Sequence, residues 1–327
     1  MRIETVAGSI RPEDLGATLM HEHVGSVAPH GFYSGGEDSD LEDLAERALG
    51  CLPRIGFGAV VDLTGRQRVL DAGELGVIGR LASRVTLHLV AGFSFYKDPW
   101  LESVEESHID RLTDIYIRQS SWEDGGVRAG VYGEVGTSLG RITHREELHL
   151  RAAARAHLAT GLAVYTHCTL GTMALEQVTI LAEEGADLRR VVIGHLDLKP
   201  DAGYLEGVLA TGANIGFDTF GKEWFDYRVP GSEGHGDAAF VKWVYNRPDE
   251  DRVSVLAELC ARGYDDRIVL SCDMSGAEAY MNPSTHGRYG YSYLYQAVLP
   301  RLRDAGVAEH SLRRMLVDNP ARILAVP

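Results

Sequence analysis

The sequence predicts a single (β/α)8 TIM barrel that spans residues 1–327. Three observations predict this fold: eight short apolar segments alternate with longer amphipathic ones, no change in composition divides the chain, and its length suits a one-domain α/β barrel. Strands with few interposed polar residues suit a parallel sheet that is covered on both faces. A doubly wound sheet is the alternative, but it usually carries a glycine-rich phosphate loop after its first strand, and none follows His23.

The eight predicted strands are short runs rich in β-branched and other apolar residues. In chain order they are Thr18–Met20, Ala59–Leu63, Val85–Gly92, Ala129–Gly133, Ala163–Thr166, Val191–Ile193, Ala213–Phe217 and Ile268–Ser271. Between them, apolar residues recur at three- and four-residue spacings, which indicates amphipathic helices. The predicted helices include Leu41–Leu52, His144–Ala159, Thr172–Glu184, Tyr204–Ala210 and Val253–Arg262. Four histidines in helical patterns (His144, His149, His157 and His310) are predicted to lie on the surface.

The composition limits the classes of partner and the compartment. The formal net charge of -15 argues against nucleic acid and against an anionic membrane surface. The four cysteines form no CxxC pair, so we expect a reducing cytoplasm rather than a disulfide framework. No signal-peptide pattern and no long apolar run is present. We therefore expect a cytoplasmic protein that acts on a small molecule, without a membrane or nucleic-acid partner.

The first predicted strand ends in His21-Glu22-His23. Side chains two residues apart on a strand point the same way, so His21 and His23 would project together and Glu22 would face away. Such a pair can offer two imidazoles to one metal ion.

Other potential metal ligands lie at the carboxyl ends of four more predicted strands. They are Glu134, His167, His195 and Asp273. Each has an ordinary alternative role: a half-buried histidine, a salt-bridge partner in the case of Glu134, or a helix N-cap in the case of Asp273. Because strand ends of a parallel barrel meet at one rim, the coincidence across five strands favours a metal centre.

Six protein ligands are too many for one open tetrahedral site and suit two ions that share a bridging carboxylate and water. Two cations lower the pKa of the shared water, and one of them polarises a C=O or P=O group of the substrate. A nearby carboxylate can accept the proton of the water and pass it to the leaving group.

With these residues in place, the chain resembles the phosphotriesterase family of the amidohydrolase superfamily. The resemblance runs in order from Leu15-Gly16-Ala17-Thr18-Leu19-Met20-His21-Glu22-His23 to Leu316-Val317-Asp318-Asn319-Pro320-Ala321-Arg322. It implies a centre of two divalent ions, zinc in the first place, with manganese, cobalt or iron as alternatives.

The resemblance also implies a role for each ligand. His21, His23 and Asp273 would bind the more buried ion, and His167 and His195 the more exposed one. Many relatives carry a carboxylated lysine at the bridging position. Here that position is Glu134, as it is a glutamate in one large branch of the family, so the bridge would form without carbon dioxide. Asp273 would also be the catalytic proton acceptor.

Residues that would contact the substrate are less clearly marked. Tyr96 is predicted to line the pocket, and Lys222 and Arg228 are predicted to bind an anionic group, although they could also be solvated surface charges. Asp197 and Asp218 are candidate partners for the ligand imidazoles. Cys272 replaces the histidine that is usual in this branch, and it is expected to be a small buried filler.

The predicted activity is that of a binuclear metal-dependent hydrolase whose metal-bridging hydroxide attacks the carbonyl of a lactone, ester or amide. Phosphotriester hydrolysis would be a promiscuous side reaction. The alternatives are an amidohydrolase of N-acylated small molecules and a metal-containing binding protein without catalysis. A mononuclear deaminase-like enzyme is disfavoured because such enzymes normally lack a bridging carboxylate on strand four. A homodimer or another homo-oligomer is expected.

Overall fold

Eight parallel strands form a nearly closed barrel with helices between them. The computed structural model describes residues 1–24, 38–64, 73–99, 101, 108–121, 127–223, 247–275, 278 and 282–327. A small antiparallel hairpin, β1 (Ile3–Thr5) and β2 (Gly8–Ile10), precedes the barrel. The barrel strands are β3 (Ala17–Glu22), β4 (Phe57–Asp62), β5 (His88–Phe93), β6 (Val131–Thr137), β7 (Ala163–Cys168), β8 (Val191–Gly194), β9 (Asn214–Phe217) and β10 (Ile268–Leu270). Each is parallel to the next. The barrel predicted from the sequence is confirmed.

The α-helices of the described residues lie between the barrel strands and after the last of them. They are α1 (Asp38–Leu49), α2 (Gly73–Ala82), α3 (Ile109–Gln119), α4 (His144–Thr160), α5 (Ala174–Glu183), α6 (Ala202–Leu209), α7 (Asp249–Ala261), α8 (His286–Tyr289), α9 (Leu299–Asp304), α10 (Glu309–Arg313) and α11 (Asn319–Leu324). None of the described helices combines the length and the apolar composition that a membrane span requires.

All eight barrel strands differ by one or more residues from their predicted bounds, and the differences at β3, β5 and β6 are the ones that hydrogen bonds and strand pairing explain. β3 continues to Glu22, so His21 lies within the strand. β6 continues to Thr137, because its second half pairs with β7, and Glu134 therefore lies inside the strand. β5 begins only at His88, since the amide of Val85 still bonds to the carbonyl of Leu81 at the end of α2.

The carboxylate of Glu22 joins the first and last barrel strands. It accepts hydrogen bonds from the Ser271 hydroxyl at 2.8 Å and from the Cys272 and Met274 amides at 3.0 and 2.8 Å. In addition, the Asp273 amide donates to the His21 carbonyl at 3.0 Å. These bonds close the seam between β3 and β10. Glu22 thus faces away from the imidazole pair, as the alternation of a strand requires.

The helix α4 is buried more fully than its pattern predicts. His144 and His310 are exposed as expected, but the prediction that His149 and His157 lie on the surface is wrong. His149 packs with its ring 5.0 Å from that of Phe95, and His157 bonds through Nδ1 to the Leu162 carbonyl. The physical reason is that alanines on several sides of α4 let neighbouring elements approach closely, so little of the helix remains in water.

Replacing His149 with Leu should make the fold less sensitive to acid. Burial lowers the pKa of His149 from 6.5 to about 4, so the native state binds fewer protons than the unfolded chain between these pH values. The stability that follows is present above pH 6.5 and is lost as the pH falls toward 4. The drop in unfolding free energy from pH 7 to pH 5, measured by urea denaturation, should be about 2 kcal/mol smaller in the variant than in the wild type.

The exposed His310→Leu variant is the control and should keep the pH dependence of the wild type. An identical dependence in all three proteins would show that His149 is not buried in its neutral form.

Candidate metal centre

Six donor side chains meet at the carboxyl-terminal rim of the barrel, and we call them the rim cluster. Its members are His21, His23, Glu134, His167, His195 and Asp273. They come from β3, β6, β7 and the segments that follow β3, β8 and β10, so the five-strand convergence that the sequence predicted is present in the structure. The donor atoms form two groups of three, each within 4.8 Å of one another.

The first group contains His21, His23 and Asp273. The Nε2 atom of His23 lies 2.7 Å from Oδ1 of Asp273, and Nε2 of His21 lies 3.6 Å from the same oxygen. His21 is fully buried, whereas 15% of the His23 side chain is exposed. The first group is therefore fully buried at His21 and partly open to solvent at His23.

The second group contains Glu134, His167 and His195. The Oε2 atom of Glu134 lies 2.9 Å from Nδ1 of His167 and 3.3 Å from Nε2 of His195. The same carboxylate also faces the first group, 3.7 Å from Nε2 of His21 and 3.6 Å from Nε2 of His23. Glu134 thus lies between the two groups, where a bridging ligand would have to lie.

Asp218, at the end of β9, holds two of the imidazoles from behind. Its carboxylate lies 3.1 Å from Nδ1 of His21 and 3.0 Å from Nδ1 of His195, and it accepts the hydroxyl of Tyr165 at 2.7 Å. Both imidazoles therefore turn Nε2 toward the rim cluster, which is how an outer carboxylate prepares a histidine ligand. Asp218 thus contacts two of the candidate ligand imidazoles, as expected.

Asp197 does not share that role. Its carboxylate accepts the amide and hydroxyl of Thr219 and the guanidinium of Arg252, all within 3.1 Å. The expectation that Asp197 supports a ligand imidazole is therefore wrong. The reason is that Thr219, after β9, and Arg252, on α7, bond to this carboxylate instead.

The chemistry of the donor set fits divalent cations. Nε2 of His21 is buried and has no hydrogen-bond partner among the described residues, although a buried polar atom is normally satisfied. Burial and the nearby His195 lower the pKa of His167 to about 3, so its imidazole is neutral and able to ligate. The buried carboxylates of Glu134, Asp218 and Asp273 concentrate negative charge that cations would neutralise.

Neighbouring groups, through hydrogen bonds and through charge, also determine which members of the rim cluster are ionised. Although burial opposes ionisation, His167, His195 and His21 hold the pKa of Glu134 well below its usual range. Against the same effect, Lys222 and nearby histidines hold the pKa of Asp273 low. Burial disfavours a charged imidazole, yet Asp273 raises the pKa of His23 to about 9, so a cation that binds His23 must displace a proton.

Two members of the rim cluster have an uncommon backbone conformation. His195 and Asp273 are in the left-handed region, with φ of 60° and 47°. Such residues cost of order 1–3 kcal/mol each and concentrate at functional sites. Strand irregularities occur beside two other members, because the register shifts between Leu19 and Glu22 and between Tyr132 and Val135.

Two of the three residues predicted to contact the substrate, Tyr96 and Lys222, lie beside the rim cluster. The Tyr96 hydroxyl lies 3.1 Å from Nε2 of His167, at the edge of the rim cluster. The Lys222 ammonium contacts Asp273 and lies 3.4 Å from Glu278. Arg228 lies outside the described residues. Sequence reasoning missed Tyr165, although it is two residues before His167 and thus on the same side of β7, which was a usable signal.

Comparisons with known proteins identify relatives in sequence and in fold. The family model described as "Phosphotriesterase family" matches residues 1–324. The chain is 33% identical to a "Phosphotriesterase homology protein" of Mycobacterium tuberculosis, over 98% of this chain and 97% of the relative. It is 28% identical to an "N-acetyltaurine hydrolase" of Danio rerio, over 99% and 97% of the two chains. A solved mutant of a PTE-like lactonase from Deinococcus radiodurans is 25% identical with a TM-score of 0.82, over 99% of this chain and 100% of that one.

Glu134→Ala should remove metal from the protein, because it deletes the carboxylate that lies between the two groups of donors. Elemental analysis should find close to two divalent ions per chain in the wild type and one or fewer in the variant. The exposed Glu176→Ala variant, on α5, is the matched control and should keep two. Two tightly held ions in Glu134→Ala would overturn the assignment of the bridge.

Asp218→Asn should weaken metal binding without removing a direct ligand. Loss of an outer carboxylate typically lowers metal affinity roughly 10–100-fold, because the imidazole is no longer held in the right tautomer. Competition with a chromogenic chelator measures this effect. The exposed Asp266→Asn variant should match the wild type, and an unchanged affinity in Asp218→Asn would contradict the role given to Asp218.

Proposed function

The chain belongs to the phosphotriesterase family, and on that premise we propose that it is a binuclear metal-dependent hydrolase of a lactone, ester or amide. The observation that carries the proposal is the position of Glu134 between two groups of donors drawn from five strands. Hydrolysis of phosphotriesters would be a promiscuous side activity of the same centre.

The residues that would hold the two ions follow from the distances. His21, His23 and Asp273 would bind one ion, His167 and His195 the other, and Glu134 both. Imidazole and carboxylate donors suit zinc, and manganese, cobalt and iron are the alternatives. When bound, the ions would supply a nucleophile from water at neutral pH and would polarise the substrate carbonyl.

Asp273 is the proposed proton carrier. Its Oδ1 atom faces the imidazoles of His21 and His23, whereas Oδ2 faces Lys222 and lies 3.9 Å from His195. One carboxylate can therefore serve as a ligand through Oδ1 while Oδ2 takes the proton of the attacking water and delivers it to the leaving group. The carboxylate is about a tenth exposed, so substrate can reach it.

The other residues of the site orient these groups. Asp218 fixes the imidazoles of His21 and His195, so the donor geometry is set before substrate binds. Tyr96 stands beside the half-buried His167 and is the proposed wall of the substrate site.

Hydrolysis of an N-acylated amine is the second candidate function. The relatives named N-acetyltaurine hydrolase favour it, because they align with nearly the whole chain. A binding protein without catalysis is the rival from another class, and the intact donor set counts against it.

The metal-loaded wild type should hydrolyse at least one compound in a panel of lactones, esters, N-acyl amines and phosphotriesters. In Asp273→Asn, kcat should fall by about 10²- to 10⁴-fold, the usual contribution of a positioned proton acceptor. Metal content must be measured in parallel, because Asp273 is also a candidate ligand. The exposed Asp304→Asn variant, on α9, should retain full activity.

If the wild type held two ions and hydrolysed no member of the panel, the binding-protein alternative would replace the enzyme. If Asp273→Asn kept both its ions and its kcat, the proton would have to pass through another group.

A further inference from the structure

We propose that Lys222 selects the substrate by binding a carboxylate or sulfonate group that the substrate carries apart from its scissile carbonyl. This inference rests on the proposed hydrolase function and goes further, because it assigns a charge to the substrate. Three features support it: the position of the ammonium group, the fixed backbone that carries it, and the carboxylates that hold it, one of which a ligand could replace.

The ammonium group lies against Asp273, on a partly exposed side of the rim cluster. Lys222 follows β9 by a few residues, and 15% of its side chain is exposed. Two other partly exposed members of the rim cluster, His23 and His167, have similar exposures of 15% and 13%. A substrate that approaches the cluster from this side therefore meets the lysine as well as the candidate metal ligands.

The backbone that carries Lys222 is held rigidly. The Gly221 amide donates to the Asp249 carboxylate at 3.1 Å, and Arg252 donates to the Lys222 carbonyl at 3.2 Å. Gly221 has a φ of 89°, and a Cβ atom there would lie 2.3 Å from His286, so only glycine fits. A fixed base reduces the entropy lost when the ammonium binds a ligand.

Two carboxylates hold the lysine, and a ligand could replace one of them, Asp273. It contacts Oδ2 of Asp273 and lies 3.4 Å from Oε1 of Glu278. Ions bound by Asp273 would neutralise that carboxylate and weaken its hold on Lys222. Glu278 is itself anchored, because its other oxygen accepts the amide of Asn282 at 2.7 Å. An oxyanion of the substrate could then take the place of Asp273 beside the ammonium.

The alternative role for Lys222 is to position Asp273 alone. In that case its removal would impair every substrate by the same factor, whether the substrate is charged or neutral. Anion recognition instead affects only charged substrates and acts mainly on KM. A pair of substrates that differ only in charge therefore distinguishes the two roles.

The test uses the metal-loaded full-length protein with N-acetyl-β-alanine and its neutral amide, N-acetyl-β-alaninamide, and measures acetate release. The wild type should prefer the carboxylate. In Lys222→Gln, kcat/KM for the carboxylate should fall roughly 10–100-fold, the usual value of a hydrogen bond to a charged group. For the neutral amide KM should be unchanged, and any loss of kcat that follows from the lost contact with Asp273 should be equal for the two substrates.

Three further variants guard against a structural effect. Lys222→Arg keeps the charge and should restore most of the preference. Glu278→Gln removes a competing carboxylate and should lower KM for the carboxylate substrate. Lys199→Gln changes an exposed lysine that packs on the Tyr204 ring and should leave both substrates unaffected. If Lys222→Gln fails to fold, Lys222→Arg and Glu278→Gln still decide the question.

Equal losses for the charged and neutral substrates, or no loss for either, would overturn the proposal. If the wild type hydrolyses neither compound, the amide activity fails, and binding of the same two compounds is measured by calorimetry. Preferential binding of N-acetyl-β-alanine that Lys222→Gln weakens at least about tenfold would support anion selection independently of hydrolysis. Equal binding by both proteins would reject it.

Discussion

The geometry of the candidate site depends on the buried carboxylate of Asp218. This side chain has no exposed surface, and an unpaired charge in such a place would be costly. It is satisfied by the His195 amide, the Nδ1 atoms of His21 and His195, and the Tyr165 hydroxyl. Since these groups come from β3, β7 and the segment after β8, one carboxylate sets the relative positions of several strand ends as well as the direction of two imidazoles.

A second buried network, centred on Arg252, holds the backbone of Lys222, the residue proposed to bind the substrate. Arg252 of α7 bonds to Asp197 and Asp249 at 3.1 and 3.0 Å and to the carbonyl of Lys222. A guanidinium can satisfy several acceptors in one plane, so it suits this position better than an ammonium would. The segment after β9 therefore belongs to two networks at once, one behind the candidate metal ligands and one beneath the proposed anion receptor.

The positions of the rim cluster were predictable because parallel strands bring their carboxyl ends to one edge. The direction of the chain beyond those ends was not. Asp197 was misassigned because its carboxylate bonds to Thr219 and Arg252, which lie 22 and 55 residues further along the chain, and a sequence pattern does not mark such distant partners. Similarly, Glu134 lies within β6 because long-range pairing with β7 extends the strand, and such pairing is not encoded locally.

The seam between β3 and β10 has a consequence for biosynthesis. Glu22 near the amino terminus bonds to Ser271, Cys272 and Met274, and the His21 carbonyl accepts the Asp273 amide. These partners are far apart in sequence: His21 and Ser271, which share a hydrogen bond, are separated by 250 residues. The closing strand is made late, and domains fold as units. We therefore expect the rim cluster to be completed late, after the last barrel strand has left the ribosomal exit tunnel.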